Sequence, residues 1–451
     1  MNQHSAGGSA RRERLSMADA GVRKRAEEYT DRFLVLLDPQ ATDEGMAALR
    51  SRAGIARAQR VGGAEAKEAP EALQRGDAVV FDKLGVGVVT AAPDQRQALR
   101  TTARDEPAIL AAERERVVYA SQVTTLPAGA TVDYLKGYQE GVEELVNHAL
   151  RRFEESTVGA ARAAAVEEAQ ATWGLQATRV TESAFSGKGV KVAVLDTGVD
   201  VTHPDLADHI GKAISFVPGE SVKDVQGHGT HCIGTACGPR EPHTLPRYGV
   251  AHEAEICAYK VLDDSGSGTD SQILGGIEAA IGHDCRVISM SLGAPTFVGQ
   301  RFSQVFENVA LRALEAGTVI VAAAGNESER PDSIQPVAHP ANCPSILAVG
   351  ALDQNQAVAF FSDAGLNPDG GQVDIAAPGV DVLSAAPQPL MHQRMSGTSM
   401  ATPHVAGILA LIAEAHPQAT SAAELKTLLL TKARRLPLAS VDVGVGLTQA
   451  P

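Results

Sequence analysis

Short apolar segments alternate with amphipathic ones from residue 173 to residue 451. Strands covered on both faces are apolar at nearly every position, and the segments of this kind are 191–195, 255–262, 287–292, 318–323 and 345–349. Apolar stripes at helical spacing lie between them, at Ile273, Leu274, Ile277 and Ile281 and at Phe302, Val305, Phe306 and Val309. Strands separated by helices imply right-handed crossovers, so this region is predicted to form an α/β fold with a mostly parallel sheet and helices on both faces.

The region 32–121 follows a different pattern. Its predicted strands are 33–37, a pair or one long broken strand within 77–89, and 116–120, and its predicted helices are 43–53 and 93–103. This β-α-β-β-α-β order within one short region is typical of a small ferredoxin-like α+β domain.

Composition suggests two further regions. Residues 1–31 are polar and carry basic clusters, which predicts a disordered tail. Residues 122–172 are rich in charge and carry few helix breakers, which predicts a helical connector. The α/β region is then a domain spanning 173–451.

Charge and hydropathy narrow the classes of function. The hydrophobic content of 44% and charged content of 21% are ordinary for a globular protein. The net charge of −14 argues against nucleic acid as a partner, because binding phosphates needs a basic surface. No apolar run approaches the roughly 20 residues of a membrane span, so no membrane association is expected.

The cysteines bear on localisation. They are Cys232, Cys237, Cys257, Cys285 and Cys343. An odd number of cysteines without a signal-peptide pattern favours reduced thiols in a cytoplasmic protein. Secretion by a non-standard route is the alternative.

Three segments place an acid, an imidazole and a hydroxyl beside glycine or other small residues. Asp196 closes a predicted strand, where a rigidly held carboxylate can orient an imidazole, although alone it would be interpreted as capping a turn. His228 has a glycine on each side, which lets the backbone approach closely. Ser399 begins an apolar helix, whose positive end favours negative charge on an attacked carbonyl oxygen. Together these groups would allow a serine to attack a carbonyl.

Asn326 adds a side-chain amide just after the predicted strand 318–323. Such an amide can stabilise an oxyanion. Both Asp196 and Asn326 follow strands, so we expect them at the carboxyl edge of the sheet, where parallel sheets carry their reactive groups.

Other interpretations of these residues fit less well. His231 is the alternative base, but small residues do not flank it on both sides. A zinc site at His228 and His231 lacks the spacing and the glutamate of the helical zinc motif, so no metal is expected there. The nucleophile elbow of the α/β-hydrolases places the acid and histidine after the serine. The order in this chain, with Ser399 last, excludes that fold.

The segments 196–198, 228–231 and 397–403 resemble the signature blocks of the subtilisin-like serine proteases, the subtilases. The resemblance extends over residues 180–450. It implies a serine endopeptidase with Asp196 as the orienting acid, His228 as the general base and Ser399 as the nucleophile. Asn326 and the Ser399 backbone N–H would then form the oxyanion hole.

The same resemblance implies where a peptide or protein substrate binds. The substrate would lie as an added strand between two edge segments. Those segments are Gly266, Ser267 and Gly268 on one side and Ser291, Leu292 and Gly293 on the other. The pocket for the side chain before the scissile bond would be lined by Ala324, Gly325 and the neighbourhood of Glu327.

The region 32–121 resembles the subtilase propeptide, an inhibitory domain that assists folding. We therefore expect a self-inhibited precursor. Its own N-terminal domain would occupy the cleft until the chain is cut between 121 and 172.

Some positions depart from the family pattern. Asp205 matches a position that binds calcium in many relatives, but the loop 238–248 is rich in proline and lacks a cluster of Asn and Asp. No cofactor is therefore expected to be required, although calcium at Asp205 is the alternative. Asp270 and Ile273 stand where relatives often place an aromatic residue for a distal subsite, so a preference for a bulky apolar side chain is not expected there.

Cys232 resembles the cysteine of the thiol-containing branch of the family. A small buried thiol is the expected role, and the alternative is that oxidation of Cys232 distorts His228. Two other functions also remain open. One is a catalytically idle subtilase fold that serves as a binding scaffold, and the other is a maturation protease with one dedicated peptide partner.

Overall fold

Two sheets organise the chain. The structure is a computed structural model that describes residues 28–55, 58–76, 78–121, 170–244, 246–419 and 421–451. The predicted tail is described only over 28–31 and the predicted connector only over 170–172. The remainder of both predictions lies outside the described residues.

The N-terminal domain is a sheet that is antiparallel except at one edge. Its strands are β1 (Tyr29–Leu37), β2 (Ala58–Val61), β3 (Ala78–Phe81), β4 (Val86–Thr90) and β5 (Ile109–Ala120), and its helices are α1 (Thr42–Ala53), α2 (Ala69–Gln74) and α3 (Gln95–Asp105). The strand order is β5-β1-β4-β3-β2, with only β2 and β3 parallel. The predicted β-α-β-β-α-β order is present as β1-α1-β3-β4-α3-β5.

Sequence patterns missed part of this domain. Strand β2 and helix α2 are inserted between α1 and β3, and both are too short for a clear period. Strand β5 was expected only over 116–120, because its first half carries Glu113, Arg114 and Glu115 and resembles a solvated segment. Strand β1 starts at Tyr29, before the expected boundary at 32.

The C-terminal domain contains the parallel sheet. Its order is β14-β13-β12-β10-β6-β8-β7, and every neighbouring pair is parallel. The strands are β6 (Lys191–Asp196), β7 (Ile210–Ser215), β8 (Glu255–Lys260), β9 (Ser267–Thr269), β10 (Val287–Met290), β11 (Leu292–Gly293), β12 (Val319–Ala323), β13 (Leu347–Leu352), β14 (Ile375–Pro378) and the hairpin β15 (Val382–Ala385) with β16 (His392–Met395). The predicted strands are present, whereas β7, β14 and the hairpin were not predicted.

Helices cover this sheet and bring side chains to its carboxyl edge. They are α4 (Trp173–Ala177), α5 (His228–Cys237), α6 (Asp270–Gly282), α7 (Gln304–Glu315), α8 (Thr398–Ala415), α9 (Ala422–Lys432) and α10 (Ser440–Val443). Helix α6 begins at a capping box between Thr269 and Gln272, and α7 begins where Ser303 Oγ accepts the N–H of Phe306 at 3.1 Å. Helix α8 is buried at every residue from 398 to 412, as its apolar sequence predicts.

Alternate residues of the N-terminal sheet belong to different cores. Phe33, Val35 and Leu37 pack with α1 and α3 inside the N-terminal domain. Leu34 and Leu36 belong to a cluster shared with α6 and α7 of the C-terminal domain. Because successive side chains of a strand point to opposite faces, this sheet has α1 and α3 on one face and the C-terminal domain, together with α2, on the other. None of the described helices has the length and apolarity needed to cross a membrane.

Candidate active site

Asp196 and His228 meet at the carboxyl edge of the parallel sheet. Asp196 is the last residue of β6, and His228 is the first residue of α5. His228 Nδ1 donates to Asp196 Oδ1 at 2.7 Å, and both side chains are buried. Among the described residues, His228 Nε2 has no hydrogen-bond partner. The carboxylate therefore holds the tautomer in which Nε2 can accept a proton.

Two opposing effects act on the His228 imidazole. Burial disfavours its charged form, but the neighbouring Asp196 outweighs burial and raises the pKa of His228 well above its usual value. An imidazolium at this position is therefore stabilised by the carboxylate. Stabilisation of that kind is needed by a base at the moment after it has taken a proton.

Ser399 lies in the first turn of α8, against a strand of the N-terminal domain. Its Oγ is within hydrogen-bond distance of the carbonyl oxygens of Ser121 and, at 3.1 Å, Ser291. Cys232 Sγ lies 3.9 Å from His228 Nδ1 and 3.6 Å from the Ser399 carbonyl oxygen. The predicted base and nucleophile therefore flank one thiol.

Asn326 follows β12 and faces the start of α8. Its Oδ1 accepts hydrogen bonds from the backbone N–H and Oγ1 of Thr398, each at 2.9 Å. Its Nδ2 is buried and has no partner within the described parts of the chain. An oriented amide with a free N–H next to Ser399 has the features of an oxyanion donor.

The alternative base His231 lies away from this group. Its Nε2 contacts the carbonyl oxygen of Val382 at 3.0 Å, and burial lowers the pKa of His231 to about 3. A histidine held neutral against a backbone carbonyl has a packing role. The structure therefore does not bring His231 to Ser399.

The two edge segments predicted to bind substrate hold the end of β5. Strand β9 pairs with β5 through Ser267 and Gly268, and β11 pairs with β5 through Leu292 and Gly293. Beyond these ladders, Ala120 N–H donates to Gly266 O at 2.9 Å and Ser121 N–H donates to Ser291 O at 3.2 Å. Residues 117–121 thus form an added strand between both segments.

The wall predicted at Ala324, Gly325 and the neighbourhood of Glu327 contains a second acidic group, Asp363, that the sequence did not reveal. Ala324 is engaged in backbone hydrogen bonds to Val349 and Ala338. Gly325 has φ of +117°, and a Cβ built there would overlap Asp363 Oδ2 and lie 2.8 Å from Glu327 Oε2. Only glycine therefore fits between the cleft and this pair of carboxylates. No sequence pattern distinguishes Asp363, because it follows an ordinary apolar run.

Asp205 is surrounded by hydrogen-bond donors. Its Oδ1 accepts from His243 N–H at 2.9 Å and from His243 Nδ1 at 2.8 Å. Its Oδ2 accepts from Tyr248 Oη at 2.7 Å and from His392 Nε2 at 3.1 Å. Burial opposes the charge of Asp205, but these donors outweigh it and lower the pKa of Asp205 to about 2. Calcium is bound by several oxygen ligands, whereas Asp205 is surrounded by hydrogen-bond donors. These residues therefore do not fit a calcium ion.

Comparison with known proteins agrees with this geometry. The sequence pattern of the subtilase family matches residues 187–447, so the chain belongs to that family. It is 42% identical over 250 residues to Subtilisin E of Bacillus subtilis (strain 168), covering 55% of this chain and 61% of that protein. It is 41% identical over 250 residues to Subtilisin of Bacillus pumilus, covering 55% and 85%. The match to Subtilisin Savinase of Lederbergia lenta is 42% over 249 residues, covering 54% and 85%.

These comparisons confirm the predicted family and the subtilisin-like α/β fold. The match spans less than two thirds of Subtilisin E. In this chain it lies in the C-terminal domain, which carries Asp196, His228 and Ser399.

Proposed function

We propose that the protein is a serine endopeptidase that hydrolyses peptide bonds through an acyl-enzyme intermediate and is made as a self-inhibited precursor. One observation carries this proposal. Ser399 Oγ contacts the carbonyl oxygen of Ser121, which ends a strand held between both edge segments. A peptide held in this way presents its carbonyl group to a serine that is already positioned.

The proposed mechanism assigns a role to each member of the group. His228 Nε2 accepts the Ser399 proton as Oγ attacks the carbonyl carbon, while Asp196 stabilises the imidazolium. His228 then gives that proton to the leaving amine as the peptide C–N bond breaks. Water, deprotonated by the same imidazole, hydrolyses the ester and restores Ser399.

Negative charge on the attacked oxygen needs donors aimed at the place where it develops. The unpartnered Asn326 Nδ2 and the backbone N–H of Ser399 are the proposed donors. Thr398 holds the Asn326 amide through its oxygen, which leaves the nitrogen for the oxyanion.

We propose that residues 32–121 form the intramolecular inhibitor. Its polar contacts use the ends of two helices of the C-terminal domain. Glu113 accepts hydrogen bonds from Ser303 Oγ at 2.6 Å and Gln304 N–H at 2.7 Å, at the start of α7. Glu115 accepts the N–H of Ser271 at 3.0 Å, at the start of α6. Both carboxylates therefore lie at the positive ends of helices, where negative charge is favoured.

A second group of contacts secures the opposite edge of the inhibitor. Glu278 of α6 accepts the N–H groups of Gly63, Lys83 and Leu84 at 3.1, 3.1 and 3.2 Å. Arg312 of α7 contacts the carbonyl oxygens of Leu84 and, at 3.2 Å, Leu37. Charged groups of the C-terminal domain thus satisfy backbone groups that docking would otherwise bury without partners.

The same contacts support a cut after Ser121 during self-processing. The wild-type chain should yield a mature species that begins at Gln122, and Ser399→Ala should stay full-length. N-terminal sequencing and intact mass measure both outcomes. Processing of purified Ser399→Ala at the same bond would contradict self-cleavage, and a mature N-terminus far from 122 would contradict the assigned junction.

Two assays test the activity itself. A fluorophosphonate probe should label wild type at Ser399, and the processed protein should digest casein. Labelling without digestion of casein would favour a maturation protease with a dedicated partner. Absence of both labelling and processing would favour a binding scaffold and overturn the proposal.

We also propose that catalysis requires no cofactor. The hydrogen bonds around Asp205 supply the local stabilisation that a cation would otherwise provide. Removal of divalent ions with EDTA should therefore leave both activity and the melting temperature unchanged. Loss of activity that calcium restores would contradict this proposal.

The proposed compartment is the cytoplasm. All five cysteines are free and buried, as expected in a reducing environment. Fractionation of cells that express the chain tests this assignment, and recovery of the active protein from the culture medium would overturn it.

A further inference from the structure

The side chain of Ser121 faces a row of small residues. A Cβ built on Gly293 would lie 3.8 Å from Ser121 Oγ and 3.3 Å from Ala338 Cβ. A Cβ built on Gly325 would lie 3.1 Å from the same Ala338 Cβ. Ala338 therefore lies between Gly293, which is next to Ser121, and Gly325.

Two carboxylates stand at the far end of this row. Asp363 and Glu327 both lie against Gly325. Asp363 is buried; its Oδ1 accepts from Ser328 Oγ at 2.7 Å, and its Oδ2 has no hydrogen-bond partner in the described residues. Glu327 is exposed and accepts the N–H of Asn326 at 3.0 Å. One carboxylate of the pair is therefore buried, and the other lies next to Asn326, the proposed oxyanion donor.

The two carboxylates share an anionic environment. Burial, followed by the charge of Glu327, raises the pKa of Asp363 well above its usual value. Two adjacent carboxyl groups repel each other's negative charge, so a cation placed beside them would be favoured.

Basic residues in the described part of the chain do not neutralise this charge. Arg330, close by in sequence, is bonded to Asp442 at 2.6 Å and to the carbonyl oxygen of Ser362 at 3.0 Å. Within the described chain, neither Asp363 nor Glu327 forms an ion pair with a lysine or arginine. A partly buried anion without a counter-ion is costly, so a cation supplied from outside would relieve it.

We propose that Asp363 and Glu327 make the pocket for the side chain before the scissile bond acidic, so that the enzyme selects substrates with lysine or arginine at that position. This inference rests on the proposed endopeptidase function. A long cationic side chain would pass Gly293, Ala338 and Gly325 and place its charge at the carboxylate pair. Asp363 and Glu327 are therefore specificity residues that take no part in the chemical steps.

The chain's own junction does not need this preference. Ser121 is held in place by the docked N-terminal domain, so its effective concentration at Ser399 is high whatever its side chain. A serine also leaves the carboxylates without a counter-ion. The released domain therefore does not use the strongest interaction that the pocket offers to other substrates.

Processed enzyme and a matched peptide series test the proposal. The peptides carry Val-Tyr-Ala, copied from residues 118–120, followed by lysine, arginine, norleucine or glutamate and a fluorogenic leaving group. Norleucine matches the lysine stem without its charge. We expect kcat/KM for lysine to exceed that for norleucine by about tenfold or more, with glutamate the poorest substrate.

Substitutions then assign the preference to the carboxylates. Asp363→Asn should reduce the ratio of kcat/KM for lysine to that for norleucine severalfold, and adding Glu327→Gln should bring this ratio near one. The exposed Glu327→Gln provides a second variant with the same expected direction if Asp363→Asn does not fold. A preference for lysine that survives Glu327→Gln and Asp363→Asn would overturn the assignment of these residues.

The outcomes for wild type separate this inference from the function on which it rests. Hydrolysis of all the peptides without preference for a basic residue would overturn the acidic pocket and leave the endopeptidase standing. Hydrolysis of none of them by processed protein, together with failure to label Ser399, would overturn the endopeptidase itself.

Discussion

The two sheets of this protein are buried in different ways. The parallel sheet packs between helices of the C-terminal domain and positions Asp196, His228 and Ser399 through elements of that domain alone. The N-terminal sheet covers one face with α1 and α3 and places the other against α6 and α7. The geometry of the proposed catalytic group is therefore self-contained, whereas the N-terminal domain completes its burial only by docking.

The polar contacts within the C-terminal domain also differ from those between the two domains. Within the C-terminal domain, the hydrogen bond from His228 to Asp196 joins residues that meet at one sheet edge. Between the domains, Glu113, Glu115 and Glu278 each bond to groups of the other domain. Substitutions at Asp196 or His228 should therefore change the catalytic rate. Substitutions at the interdomain glutamates should change the strength of inhibition.

The largest effect is expected at the oxyanion donor. Asn326→Leu removes the Nδ2 donor and should lower kcat by roughly 10²–10³ with little change in KM, because the interaction forms mainly in the transition state. Steady-state kinetics on a peptide substrate measure both constants. Thermal unfolding controls for loss of the bond to Thr398. A rise in KM at constant kcat would place Asn326 in substrate binding instead.

Asp205→Asn should weaken the C-terminal domain and leave its chemistry intact. The carboxylate is stabilised in the folded state, because the pKa of Asp205 is lowered from 3.8 to about 2. Its ionised form therefore contributes about 2 kcal/mol to the free energy of unfolding above about pH 4, and this is lost as the pH falls through about 2.

Urea unfolding of Asp205→Asn in the Ser399→Ala background measures this contribution without autolysis. The difference from the parent protein should be full at neutral pH and should shrink as the pH approaches 2. A difference that is independent of pH would show that packing, and not the charge, stabilises the loop.

The double substitution Glu113→Gln and Glu115→Gln should loosen the inhibitor. Each carboxylate lies at the positive end of a helix of the other domain, where a negative charge contributes about 0.3–1 kcal/mol, so together the two substitutions should weaken inhibition by about tenfold. The recovery of activity on dilution after processing gives the inhibitory dissociation constant. Asp94→Asn, an exposed carboxylate of the same domain, is the matched control. Equal constants for both variants would show that the apolar face alone determines docking.

The smallest effect is expected at Cys232. Burial raises the pKa of this thiol, so it stays neutral, and its side chain is 0% exposed. Cys232→Ala should change kcat/KM by no more than about twofold, and thiol reagents should not inactivate the folded enzyme. Rapid inactivation of wild type by such reagents, absent from Cys232→Ala, would instead support the alternative role in which modification distorts His228.

Local sequence identifies some features of this site and leaves others hidden. Asp196, His228 and Ser399 stand in short segments with glycine or small neighbours, and each lies at a strand end or helix start that hydrophobic periodicity locates. Asn326 was found for the same reason. Local pattern is sufficient there because each residue is positioned by the element that contains it.

Features that depend on contacts between distant segments were not recognised. Glu113 and Glu115 look like solvated charges until α6 and α7 are placed against them. The role proposed for Asp363 depends on its position beside Gly325 and Glu327. Strand β7 escaped recognition because it lies at the sheet edge with exposed positions, so its sequence lacks a continuous apolar run.

The position of Ser121 has a consequence for timing. In the proposed precursor, inhibitor and enzyme are one molecule while the bond after Ser121 is whole, and no dilution can separate them. Once that bond is cut, the same contacts become a reversible equilibrium between two molecules, which dilution or degradation of the smaller fragment can shift. One covalent event would therefore convert a permanently closed enzyme into one whose activity depends on concentration.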